Sequence, residues 1–189
     1  MHMLMMRLAR VMASLGGLVL LILVLMTCLS ILGREAKDLL QTIDTGWSNA
    51  LINLGIDQVR GDFEMVEAGM AFAIFAFLPL CQMTSGHATV DVFTDRLPER
   101  AKRWLAAVIE VIFALVLVLI AVQLLAGMQS KIRTGQTSFI LAFPVWWGYA
   151  AALVGALVAA LSGVYMAVMR VMEAAAGRAL IPAAEGAEH

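Results

Sequence analysis

Glu64 and Glu67 stand three residues apart, so on a helix they share one face, and they open an apolar run that continues to Met83. Arg34 closes an earlier apolar run at what would be the same depth. A charge at the edge of lipid is costly unless it is paired or faces water. Three roles fit these residues: an Arg34–Glu67 ion pair tying two helices together, a contact to a partner subunit or an ion path, or an acid solvated among headgroups. Glu110 is an acid inside a third run, within reach of Arg7, Arg10 or His87, because long basic side chains snorkel. A single acid with such partners reads as packing in preference to proton coupling.

Little else could carry chemistry. His2, His87 and His189 all lie outside the apolar runs, so no pair of them could hold a haem between helices. There is no Cys/His cluster with zinc spacing, no phosphate-cradling glycine loop and no nucleophile elbow. Neither a catalytic residue, a cofactor nor a metal is expected. Cys28 and Cys81 fall near the ends of successive antiparallel runs, on the order of 20 Å apart at 1.5 Å per residue, and cannot form a disulfide.

The elements that position these residues are membrane spans. The 189-residue chain is 62% hydrophobic and only 14% charged, against about 25% charged in soluble domains. Lipid must solvate much of that surface. Four runs are long enough to cross: about 11–32, 63–83, 104–128 and 143–169. The first follows Arg7 and Arg10 as a signal peptide would. It is too long for one and no Ala-x-Ala site follows, so a retained helix is expected. The fold class is therefore an all-α integral membrane protein, one domain of four transmembrane helices.

The first connection, Gly33 to Asp62, holds an apolar stripe of Trp47, Ala50, Leu51 and Leu54 behind Asp44 or Thr45 as cap, with Gly55 at the far end. This predicts a short amphipathic helix lying in the interface or packed on the bundle. Pro98 starts the third helix, and Thr134-Gly135 marks a turn in the third connection. A polar, Ala-rich tail, 170–189, is expected to be disordered.

Lys and Arg counts set the orientation. Eight (Arg7, Arg10, Arg96, Arg100, Lys102, Arg103, Arg170, Arg178) fall on the side of the termini, and five (Arg34, Lys37, Arg60, Lys131, Arg133) on the other. The positive-inside rule then puts both termini and the second connection in the cytoplasm. A formal net charge of −1 gives no reason to expect nucleic acid.

The fourth run carries two adjacent small-residue stripes, Ala151, Gly155, Ala159 and Gly163, and Gly148, Ala152, Ala156 and Ala160. Small residues let helix backbones approach where lipid offers no hydrophobic drive. The stripes serve packing within the bundle or docking onto another membrane protein. Trp146, Trp147 and Tyr149 open this helix as interface anchors.

Taken in order, these pieces resemble the small membrane subunit of tripartite ATP-independent periplasmic (TRAP) transporters, from Arg7 to about Arg170. Glu67 begins helix 2; Gly86, His87 and Asp91 form a Gly-His-x-x-x-Asp segment in the second connection; Asp95-Arg96-Leu97-Pro98 leads into helix 3; Arg34 closes helix 1; and Pro144-x-Trp146 starts helix 4. Ser85-Gly86-His87 stands where members often have Gly-Gly-His, Thr89 where they often have a basic residue, and the first connection is longer than usual.

The resemblance implies a role in place of a reaction. A periplasmic binding protein delivers an organic anion, a large membrane subunit holds the substrate and sodium sites, and the small subunit supports it in the bacterial inner membrane among lipids. The alternative is a small four-helix proton-coupled exporter acting as a homodimer, which would need an acid inside helix 1; none lies between Val11 and Leu32. A membrane anchor for an electron-transfer enzyme would need in-membrane histidines.

Overall fold

The structure, a computed structural model, describes residues 2–43, 59–84 and 98–177. Among these it is helical: α1 (His2–Ile43), α2 (Asp62–Met83), α3 (Glu99–Thr134) and α4 (Trp146–Ala176). All four are long and apolar enough to cross a membrane. The segment expected to form an interfacial helix, 44–58, lies outside the described residues, as do Gly86, His87 and Asp91.

The helices overrun the apolar runs that nucleate them. At 1.5 Å per residue α1 is about 63 Å long, roughly twice a hydrocarbon core. Gly33 does not end it: Arg34, Glu35, Lys37 and Asp38 continue the helix where a loop was expected. These residues are good helix formers or sit in i, i+4 charge pairs, and one glycine costs only ~1 kcal/mol. Likewise α3 passes Met128 and stops at Thr134, where Gly135 adopts the left-handed conformation, φ 61°, that a Cβ would strain. Helix α4 starts at Trp146, later than expected. It runs through the Ala-rich stretch to Ala176, again closed by a left-handed glycine, Gly177 at φ 67°. Alanine is the best helix former, so 170–176 are helical and not a disordered tail.

Close approaches set the register. Gly16 lies against Ala76, Leu23 against Gly69, and Ser30 bonds Asp62, so α1 and α2 run antiparallel. Gly148 meets Ala68 and Gly155 meets Phe75 and Ala76, so α2 and α4 run parallel with an offset near eighty residues. Gly127 meets Tyr149 and Gly163 meets Leu117, so α3 and α4 run antiparallel. Neither α1 and α3 nor α2 and α3 bring Cα atoms within 8 Å of each other. The helices thus stand in the spatial order α1, α2, α4, α3. Half of α4's most apolar stretch is buried, against 11% of α1's, which makes α4 the central element.

Its burial comes from the small-residue stripes. Ala156, Ala159 and Ala160 form a core cluster with Leu117 and Ala121 of α3, with Phe75 and Leu78 of α2 packed against it. Pro79 lacks the N–H that would bond the Phe75 carbonyl. Gly155 fits over that same turn: a Cβ on it would lie 3.0 Å from the Phe75 carbonyl carbon. Ala76 is completely buried, with Gly16 on one side and Gly155 on the other. At the end carrying the chain termini, Ala9, Met83 and Met166 bring α1, α2 and α4 together.

Candidate functional site

Polar contacts gather at the two ends of the bundle. At the end away from the termini, residues 135–145 fold into a small hairpin. The Ser138 N–H donates to the Phe143 carbonyl at 2.9 Å and the Val145 N–H to the Gln136 carbonyl at 3.0 Å. Its tip turns through Ala142, which takes a positive φ of 53°. The tip is held by α2: the Ile140 and Leu141 N–H groups donate to the two Glu64 carboxylate oxygens at 2.8 and 3.0 Å. Leu141 then covers Gly61, whose φ of 74° and contact with the leucine side chain both exclude a Cβ. Glu64 therefore ties α2 to the α3–α4 connection, across the gap that separates α2 from α3.

Beside this clasp, the Ser30 hydroxyl donates to Asp62 at 2.5 Å, joining α1 to the first turn of α2. The Ser30 hydrogen bond, with the Arg34 charge as a lesser cause, holds the Asp62 carboxyl below its usual range. Glu67, the partner expected from sequence, is exposed on another face and has no ion pair among the described residues. The reason is register: Ser30 sits level with Asp62, so Arg34 lies a turn beyond the start of α2 and Glu67 more than a turn inside it.

Glu67 instead stands on the rim of a cavity of about 1060 Å³ between α2 and α3, with α4 as its floor and the hairpin at its mouth. Lys131 lies on the opposite wall and donates to Gln136 at 2.6 Å. Of the expected anchors, Trp147 is exposed and meets Trp146 edge-to-face at 6.2 Å. Tyr149 has turned inward, its ring against Gly127. Ala151 is half-buried, whereas Gly155, Ala159 and Gly163 are buried between α2 and α3.

At the termini end, the Gln82 side-chain amide donates to the Glu110 carboxylate, both groups being buried. This is a second tie between α2 and α3. Arg170 and Glu173 form an ion pair of 2.9 Å on α4, and Arg103 donates to the Gly177 carbonyl at the end of that helix. Arg7 and Arg10 are exposed. Gln82 went unread in the sequence, although a polar residue and an acid at matching depth in two spans form a recognisable pair. The Glu64 clasp left no such signal, because its partners are backbone amides.

Between these ends, Leu15–Leu25, Ala68–Leu78, Val111–Val122 and Ala150–Leu161 hold only apolar residues and glycine. No group of three or more His, Cys, Asp or Glu that could hold a metal occurs among the described residues. The site is a pair of polar fastenings flanking an apolar groove, an arrangement that holds helices together.

No curated protein and no solved structure matches the chain. Residues 23–173 match the family described as tripartite ATP-independent periplasmic transporters, DctQ component, which covers the second half of α1 and all of α2 and α3, and α4 up to Glu173. That is a family of transporter components, not of enzymes, whose members work with a large membrane subunit and a periplasmic binding protein. The chain belongs to this family: it is a multi-pass membrane protein, the small membrane component of a TRAP transporter.

Proposed function

We propose that the chain is a non-transporting scaffold, which holds a large membrane subunit during cation-coupled uptake of an organic anion. A binding protein delivers the anion, and sodium is the coupled cation. The scaffold lies in the bacterial inner membrane with both termini in the cytoplasm. The observation that carries this reading is the apolar middle of all four helices. A transporter working alone brings polar groups and broken helices together at the midplane. Here the polar groups stay at the ends, where they fix helix positions. A proton-coupled homodimeric exporter would need an acid in α1 at that depth, and α1 has none.

The test is expression of the chain with and without the neighbouring membrane subunit. A large hydrophobic partner should co-purify, and anion uptake into liposomes should require both subunits, the binding protein and a sodium gradient. Transport of a cationic drug against a proton gradient by this chain alone would overturn the reading.

A further inference from the structure

The groove between α2 and α3 is apolar along its length and charged at its mouth. Its floor and walls are Ala71, Phe75, Leu124 and Ala152, and its rim carries Glu67 and Lys131, with Glu64 beside them engaged by the Ile140 and Leu141 N–H groups. The register places the two charges at one height: Glu67 is level with residue 147 through the α2–α4 offset, and Lys131 through the Gly127–Tyr149 contact. That height is also where the exposed Trp147 ring sits, as expected at a membrane interface. The opposed charges face one space, yet no ion pair joins them among the described residues. Lys131 uses one of its three donors on Gln136. At about 1060 Å³ the groove exceeds the ~300–1,000 Å³ of small-molecule sites.

We propose that this groove binds a zwitterionic aminophospholipid of the phosphatidylethanolamine class. The ammonium lies on Glu67, the phosphate on Lys131, and an acyl chain runs over Ala71, Phe75, Leu124 and Ala152. Such a headgroup bridges two opposite charges that cannot reach each other. A phosphatidylglycerol headgroup would satisfy Lys131 but offer Glu67 only neutral glycerol hydroxyls, leaving that carboxylate without a counter-charge. Choline would place a cation near Glu67 but has no N–H to donate to it.

The test is native mass spectrometry of the membrane complex after detergent delipidation and exposure to phosphatidylethanolamine, phosphatidylcholine or phosphatidylglycerol. Phosphatidylethanolamine should be retained in preference to both others. Glu67→Gln and Lys131→Gln should each lower its retention roughly fivefold, as expected for a part-exposed ion pair. The charge-swapped double variant, E67K with K131E, should recover it, because a zwitterion can lie either way round; this separates headgroup recognition from damage to the fold. Equal retention of phosphatidylglycerol, or unchanged retention in the single variants, would overturn the proposal. So would efficient cross-linking of Ala71→Cys to the large subunit, since protein would then fill the groove.

Discussion

Glu64 shows how much one side chain can organise. Its two oxygens are each matched to one backbone N–H of the hairpin tip, a charge-assisted arrangement stronger than neutral bonds. Glu64→Gln keeps one acceptor and Glu64→Ala keeps none. Hydrogen exchange at Ile140 and Leu141 should therefore accelerate in that order, with residues 98–134 unaffected. Equal protection in all three proteins would show that the hairpin holds itself. The same logic applies to Arg34. Because Ser30 is bonded to Asp62 and the Arg34 charge bears on the same carboxylate, coupling in a double-mutant cycle should be larger for Arg34 with Asp62 than for Arg34 with Glu67. Thermal unfolding of the six proteins in the two cycles decides between them. At the other end, Gln82→Leu and Glu110→Gln should be non-additive, with a coupling of ~0.6–2 kcal/mol as for interhelical hydrogen bonds in membranes. Strictly additive losses would remove that fastening from the account.

Helix α2 is the element where small residues matter most, because it is packed on both sides. Ala76 has Gly16 of α1 against its Cβ and Gly155 of α4 against its backbone, so neither neighbour has room to retreat from a larger side chain. Ala76→Leu and Gly155→Val should each destabilise the bundle by ~1–3 kcal/mol, the range for overpacked cores. Gly17→Val, on an α1 glycine with open space around it, should cost far less. Unfolding in mild detergent checks the contrast. The α4 half of this contact was legible in the sequence, since stripes stepping by four mark a face whatever lies against it. The α1 half was not: Gly16 and Gly17 are adjacent, and periodicity does not say which one meets a neighbour. Helix ends were hidden for a related reason. Apolar content locates a span, but Arg34–Ile43 and Arg170–Ala176 stay helical through propensity and pairing after hydropathy has fallen away. The register of α1 on α2, with Ser30 bonded to Asp62, brings the Arg34 end of α1 nearer Asp62 than Glu67.

On the scale of the whole molecule, the order α1, α2, α4, α3 leaves the two outer helices with broad apolar faces and no contact with each other. Leu18, Leu21, Ile22 and Leu25 of α1 are exposed, as are Leu115, Val118, Leu119 and Val122 of α3. These faces meet lipid or partner helices in a membrane, which suits a subunit that extends the footprint of another. The helices also fix which segments share a side. The start of α1, the end of α2, the start of α3 and the end of α4 lie together, and that end carries Arg7, Arg10, Arg100, Lys102, Arg103 and Arg170. Charge asymmetry of this kind sets orientation through the short connections. Reporter fusions after Arg103 and at the C-terminus should therefore be cytoplasmic, and one after Asp57 external. Replacing Arg100, Lys102 and Arg103 by glutamine while adding three lysines beside Lys131 would reverse the bias without touching a span. If charge sets the topology, the reporters should then invert in part of the population. An unchanged orientation would mean that the partner subunit, or the hairpin clasp, fixes it instead.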